Sequence, residues 1–241
     1  YNSEIQRLGL AFEAATAKTR YVDSLPDPKI GVNFFGRPIE TATGSQRGNI
    51  SLSQMIPWVE TLDAKQQLAT LQALAAKADY RSARLHVLEQ VRVGWFRMYL
   101  IEQQFEVTKN NQQTLQSLID VANSLIAAER GSSRDVLLGT LELTKLEERL
   151  TRLQQQRTSQ IATLNQLLNR PIDSKIVSPE KIVESLPAQS QEALVKIALQ
   201  SQPDIQAARL RNQAKKWGVT VAQLRRRPDV TVMASYFITD D

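Results

Sequence analysis

The feature that most constrains this chain is a long stretch almost free of helix-breaking residues. No proline occurs between Trp58 and Arg170, and Gly94 is the only glycine between Trp58 and Arg130. The residues in between are mostly Ala, Leu, Gln, Glu, Lys and Arg. These are strong helix formers, so the stretch reads as very long helix rather than as the short helices of a globular domain. The breakers collect on either side. Pro26, Pro28, Gly31, Gly36, Pro38, Gly44, Gly48 and Pro57 crowd the region before it, and Pro171, Pro179, Pro187 and Pro203 follow it. The expected order is helix, short β-rich region, very long helix, turn, second long helix, irregular segment, helix and a final strand.

The long block has one clear interruption, Arg130-Gly131-Ser132-Ser133-Arg134-Asp135. Gly131 suits the left-handed position that ends a helix. Ser132 and Asp135 form an S-x-x-D capping box that starts the next helix. A turn this short sets the two arms antiparallel. At about 1.5 Å per residue the first arm, residues 58–129, would be on the order of 100 Å long, and the second, 133–168, roughly 50 Å. The arms are unequal, so another element must cover the far half of the first.

Both arms carry a narrow apolar seam near 3–4 spacing, the signature of coiled-coil pairing. On the second arm it runs through Leu143, Leu146, Leu150, Leu153, Ile161, Leu164 and Leu167, interrupted by Arg157 and Gln160. On the first it reads Leu85, Leu88, Trp95 and Met98, then Leu115, Leu118, Ala122 and Leu125.

Strands are expected over residues 29–34, 49–56 and 229–237, where apolar residues alternate with small or polar ones. The segment between the first two, 37–48, reads as a polar loop. No run approaches the roughly 18–20 apolar residues of a membrane-spanning helix. That leaves open a β-barrel, whose strands are short and only alternately apolar.

Composition narrows the chemistry. The 241 residues include no Cys and a single His, which exclude a disulfide scaffold, a thiolate zinc site and a multi-histidine metal site. There is no phosphate loop or nucleophile elbow, so neither a catalytic site, a cofactor nor a resident metal is expected, and the chain does not read as an enzyme. His86 and the pair Glu147-Glu148 read as solvated helix faces. Arg225-Arg226-Arg227 lacks the aromatic interleaving of a nucleic-acid site, so no nucleic-acid partner is expected. It reads instead as a solvated face or a basic belt at a membrane surface. Trp58 follows a strand and suits an interface anchor, while Trp95 fits the helical seam.

An internal repeat is legible at an offset of 200. Ile5, Gln6, Leu10, Ala14, Pro28 and Val32 meet Ile205, Gln206, Leu210, Ala214, Pro228 and Val232, both copies reading as a helix, a proline and a strand. The unit would be helix, strand, strand, long hairpin and irregular segment, so the chain is expected to hold one unit and the opening of a second. It starts inside a helical pattern with no signal peptide legible and stops just after a strand, and is expected to be a fragment or a trimmed chain.

In this order the segments resemble the TolC-like outer membrane efflux proteins. Asn2-Ser3-Glu4-Ile5 with Ala11, Ala14, Ala15 and Ala17 is similar to that family's opening helix. Leu25-Pro26-Asp27-Pro28-Lys29-Ile30 resembles its helix-to-strand junction, especially in the heavy-metal efflux branch. Ser51-Leu52-Ser53-Gln54-Met55-Ile56-Pro57-Trp58 resembles the second strand and the start of the long helix, although Val59-Glu60-Thr61 replaces the usual Gly-Lys. Arg130 to Leu137 resembles the hairpin tip, Leu164 to Pro171 the end of the second arm, and Ser201-Gln202-Pro203-Asp204-Ile205 with Arg227-Pro228-Asp229-Val230 the opening of the second repeat.

The resemblance implies a mainly α chain with a few β-strands: a long antiparallel coiled-coil hairpin belonging to an α-barrel, plus strands of a β-barrel shared by a homotrimer. Residues 1–28 would be the first helix, 29–57 a barrel strand pair with its external loop, and 58–169 the periplasmic hairpin with its tip at 130–135. Residues 170–200 would be an equatorial belt segment and 201–241 the start of the second repeat. A shorter helix would stack end to end on the 133–168 helix. Ile30, Val32, Phe34, Ile50, Leu52, Ile56, Val230 and Val232 would lie on the membrane strands, with outer membrane lipid as a partner.

The implied function is passive conduction of small molecules or metal ions, as the exit duct of a tripartite efflux pump in the cell outer membrane with a periplasmic extension. A periplasmic adaptor (membrane fusion) protein would dock on Gly131, Ser132, Ser133, Arg134 and Asp135, and an inner membrane transporter would supply the energy. The alternative is a periplasmic adaptor-type or other structural coiled-coil interaction protein. Adaptors, however, flank their hairpins with domains of many short strands, whereas here the flanks are helices and a few strands.

Overall fold

The computed structural model describes residues 2–41, 44–177 and 188–240. These residues form helices α1 (Ser3–Lys18), α2 (Val59–Ala127), α3 (Ser133–Leu167), α4 (Gln191–Ser201) and α5 (Pro203–Leu224), with strands β1 (Lys29–Thr41), β2 (Gly44–Ile56) and β3 (Val230–Asp240). They group into two compact units, one of Tyr1–Gln6 with Ala83–Ser190, the other of Arg7–Ser82 with Gln191–Asp241. The fold is mainly α with a small antiparallel sheet, as the breaker pattern requires.

In the first unit, α2 and α3 pair as an antiparallel coiled coil. Along α2 the inward positions are Val87, Val91, Gly94, Met98, Ile101, Phe105, Thr108, Gln112, Leu115, Ile119, Ala122 and Ile126. Along α3 they are Val136, Gly139, Leu143, Leu146, Leu150, Leu153, Arg157, Gln160, Leu164 and Leu167. Steps of four and three alternate throughout, which is the heptad repeat. The expected seam on α3 is correct except at Ile161, where Gln160 takes the inward position, and five of the residues expected on α2 lie outside it. Leu85, Leu88, Trp95, Leu118 and Leu125 are exposed. The seam lies one position away because it passes through Gly94, Thr108 and Gln112, which a count of apolar residues skips.

Arg157 and Gln160 do not interrupt the seam; they sit in it. Arg157 Nε donates to Glu102 Oε1 at 2.6 Å, and Gln160 Nε2 donates to the Gly94 carbonyl at 3.1 Å. Glycine lets the helices approach at two levels. A Cβ on Gly94 would lie 2.7 Å from Leu164 Cδ2, and one on Gly139 would lie 2.9 Å from Ile119 Cγ1.

Both long helices end in the same hydrogen-bonded cap. At the end of α2, the N–H groups of Glu129 and Arg130 bond to the carbonyls of Ile126 and Leu125 at 2.9 and 2.8 Å. At the end of α3, those of Asn169 and Arg170 bond to Gln166 and Asn165 at 3.1 and 2.9 Å. The left-handed residues are Glu129 (φ 57°) and Asn169 (φ 53°), so Gly131 does not fill the conformational role expected of it. Its lack of a side chain serves proximity instead: a Cβ there would fall 2.6 Å from the Ile126 backbone nitrogen. The capping box does not form, and Ser132 acts as a simple N-cap. Ser132 Oγ accepts from Arg134 N at 3.3 Å, and no return bond from the Asp135 side chain is found among the described residues.

The start of α1 meets the end of α3. Asn2 Oδ1 caps α1 by accepting from Glu4 N at 2.9 Å, while its Nδ2 donates to the Leu167 carbonyl at 3.0 Å. In the second unit α1 lies along the early part of α2, with Gly9 against the Tyr80 ring and Lys77 Nζ 5.9 Å from the centre of the Phe12 ring. A shorter helix thus covers the part of α2 that α3 cannot reach. That part of α2 buries Ala64, Ala69, Ala73, Ala75 and Ala78, and α5 buries Ala207 and Ala214. Small side chains allow close helix packing, and an Arg211–Asp79 ion pair ties α5 to α2.

Two further expectations need correction. Residues 37–48, read as a polar loop, are largely strand, because β1 and β2 pair out to Thr41↔Gly44. The register shifts between Phe34 and Ile39, which destroys the alternation that would have revealed it. The segment expected to be irregular to residue 200 contains α4, while residues 178–187 of it lie outside the described residues. Pro203 occupies the first turn of α5, separating it from α4.

Candidate functional site

Three places on the chain have the chemistry of contact surfaces: the sheet, its junction with α2, and the hairpin turn. The strands lie in the order β1-β2-β3, all antiparallel, so cross-strand partners share a face. Ile30 pairs with Leu52 and Leu52 with Ala234; Val32 pairs with Ile50 and Ile50 with Tyr236. Phe34 and Ile238 flank Gly48, while Val232 faces Gln54 and Val230 faces Ile56. All eight residues singled out on the strands therefore occupy one face, joined by Ala234, Tyr236 and Ile238. Alternation in the last strand was the signal that could have found those three.

The opposite face carries Lys29, Gly31, Asn33, Asn49, Ser51, Ser53, Thr231 and Ser235, with Met55, Met233 and Phe237 among them. Asn33 Nδ2 donates to Asn49 Oδ1 at 2.8 Å across it. The apolar face is open: Phe34 is 80% exposed and Ile30 74%. A sheet with one bare apolar face and one polar face has the two-sided character of a barrel wall between lipid and water. Among the described residues β1 and β3 each pair only with β2, so both outer edges are unpaired.

At the foot of the sheet, Pro57 and Trp58 carry the chain from β2 into α2, and Arg227 and Pro228 carry it from α5 into β3. Trp58 Nε1 donates to Glu60 Oε2 at 3.3 Å, and the Arg227 guanidinium lies over the indole, 5.6 Å from its centre. Beside them Ile56, Pro57, Val59, Pro228 and Val230 line an open pocket of about 350 Å³.

At the hairpin turn, Gly131, Ser132, Ser133, Arg134 and Asp135 are all exposed. Leu137, Leu138 and Leu141 continue an exposed apolar strip along α3. His86 is solvated on α2, with Nδ1 3.6 Å from Glu89 Oε2 and Nε2 3.1 Å from Gln90 Nε2. Among the described residues no group of three or more His, Asp or Glu side chains could hold a metal ion. No helix among them is long and apolar enough to cross a membrane.

A hairpin of very long heptad helices and a small sheet that is apolar on one face only make up a fold shared with solved outer membrane channels. The outer membrane protein VceC of Vibrio cholerae superimposes with a TM-score of 0.79 at 18% identity, over 98% of this chain and 59% of that one. The outer-membrane channel OprN gives 0.81 at 18% identity, over 96% and 55%. The CmeC outer membrane channel of Campylobacter jejuni gives 0.75 at 14% identity, over 100% and 59%. No family model matches the sequence and no curated protein aligns with it. The chain spans a little over half the length of the structures it matches.

Proposed function

We propose that this chain is part of an outer membrane channel of the TolC-like family, the exit duct of a tripartite efflux pump. One observation carries the reading: the sheet exposes a continuous apolar face while both of its outer edges are unpaired among the described residues. In lipid an open strand edge would leave backbone groups without partners, so such a sheet is stable only as part of a closed barrel. Further strands must come from the remainder of the protein and from other copies of it, and a homotrimer supplies them.

The heptad hairpin then contributes to a hollow helical barrel crossing the periplasm, with residues 170–200 in its belt. Exported small molecules or metal ions pass through passively, driven by an inner membrane transporter. A periplasmic adaptor docks at Gly131, Ser132, Ser133, Arg134 and Asp135, whose exposure fits that role. Ile30, Val32, Phe34, Ile50, Leu52, Ile56, Val230 and Val232 face lipid.

The test is fractionation and conductance of the full-length protein. It should sediment with the outer membrane, run as a trimer in mild detergent and open steady conductances in a planar bilayer. A soluble monomer that leaves bilayers silent overturns the reading.

A further inference from the structure

We propose that the foot of the sheet is a binding site for an amine-bearing glycerophospholipid, with phosphatidylethanolamine as the fitting class. The inference rests on the membrane reading above and adds a lipid, a place and a mode of recognition to it.

The site combines apolar and charged chemistry within a few residues. Ile56, Pro57, Val59, Pro228 and Val230 form the walls of the pocket beside Trp58. Ile56 and Val230 are partners in the sheet and belong to its apolar face, so the pocket continues the surface along which acyl chains would lie. Its charged rim is built on Trp58. The indole N–H holds the Glu60 carboxylate at 3.3 Å, and the indole face holds the Arg227 guanidinium 5.6 Å from its centre.

Glu60 and Arg227 flank one aromatic ring without forming an ion pair with each other. Neither has another ion-pair partner among the described residues. A guanidinium left with only an aromatic face keeps its N–H donors for a phosphate. The carboxylate likewise keeps lone pairs for a donor. One cation over the face of a Trp and one anion at its N–H edge, beside an apolar pocket, match a zwitterionic headgroup: phosphate at Arg227, ammonium at Glu60, acyl chain against Ile56 and Val230. A glycerol headgroup offers Glu60 no cation, and a choline headgroup offers it no N–H donor. Charge complementarity therefore selects among lipids rather than merely attracting them. Arg225 and Arg226, both exposed, add positive charge at the same junction.

The test uses the full-length protein purified in detergent and stripped of lipid. Phosphatidylethanolamine, phosphatidylglycerol and phosphatidylcholine with matched chains are titrated in, and retained lipid is counted by native mass spectrometry. The wild type should retain the ethanolamine lipid roughly tenfold more tightly than the other two, the weight of one charge-assisted hydrogen bond. Glu60→Gln should erase that preference while leaving the trimer intact, since an amide oxygen can still accept from Trp58. Arg227→Gln should weaken retention of all three. Equal retention of the three lipids by the wild type, or an unchanged preference in Glu60→Gln, overturns the proposal. Conductance of the same preparation separates the two readings: a protein that conducts but ignores the headgroup overturns the lipid site alone, and one that neither inserts nor binds lipid overturns both.

Discussion

Arg157 on α3 donates to Glu102 on α2 at 2.6 Å, a charge pair at the edge of a largely apolar heptad seam and between residues 55 apart in sequence. The side chains are 40% and 21% exposed, so the pair is neither a solvated surface bridge nor a dry core one. Exposed pairs contribute about 0–1 kcal/mol and breaking buried ones costs about 3–5. Glu102→Leu, which strands the arginine in the seam, should therefore cost about 1–2 kcal/mol. Adding Arg157→Leu should return most of that loss, because two packed leucines replace an ion pair at little cost. Thermal unfolding of the two variants in detergent reads the difference. A double variant no more stable than Glu102→Leu alone would remove the pair from any part in holding the hairpin.

Much of the architecture was legible because long helices need little from tertiary context. The absence of proline over residues 58–170 and the breaker at Arg130 to Asp135 set the two long helices and the turn between them. The strand residues were legible from alternation, since cross-strand pairing leaves period two unchanged. What failed was the position of the seam on α2. Gly94 and Thr108 are buried and Gln112 half-buried there because of what faces them: Gly94 makes room for Leu164 and takes a hydrogen bond from Gln160. A partner's shape is not written in the local sequence. The pairing of residues 39–41 with 44–46 was hidden for a related reason, because the register shift after Phe34 moves side chains between faces. The pocket around Trp58 joins residues far apart in sequence; Ile56, Trp58, Arg227 and Val230 each gave a signal, but nothing in the sequence brought them together.

Asn165 should be the most sensitive polar residue of the first unit. It is fully buried, and its Nδ2 donates to the Ile172 and Ser174 carbonyls at 2.9 and 2.7 Å, pinning the chain that leaves α3. Asn165→Ala leaves those two carbonyls without their donor and should cost about 2–4 kcal/mol. Asn165→Asp should be at least as damaging, since it sets a carboxylate against two carbonyl oxygens. Limited proteolysis should cut residues 171–177 several times faster in either variant. An unchanged cleavage rate would mean that the segment is held by something else.

Glu129 offers the opposite sign. It takes up φ 57° to close the α2 cap, a conformation that a side-chain-bearing residue adopts only at some cost. That cost is roughly 1–2 kcal/mol, part of which glycine returns as extra entropy in the unfolded chain. Glu129→Gly should therefore stabilise by about 0.5–1 kcal/mol, whereas Glu129→Ala, which keeps a Cβ, should gain nothing. A higher melting temperature for the glycine variant alone checks it. Equal behaviour of the two would show that the cap carries no strain.

Gly131 should be indispensable for a reason unrelated to dihedral freedom. A Cβ there would lie 2.6 Å from the Ile126 nitrogen, 2.8 Å from Ile126 Cγ1 and 3.0 Å from the Leu125 carbonyl carbon. Two of these neighbours are backbone atoms of the capped last turn of α2, which cannot yield without breaking the bonds of Glu129 and Arg130. Gly131→Val must therefore displace the turn, and with it the exposed Ser132, Ser133, Arg134 and Asp135 that the proposed adaptor contacts. The seam is unaffected, so trimer yield in the outer membrane should stay at the wild-type level while efflux is lost. Cells carrying the variant should become as sensitive to the exported compounds as cells lacking the protein. Wild-type resistance with Gly131→Val would exclude the hairpin tip as the docking point.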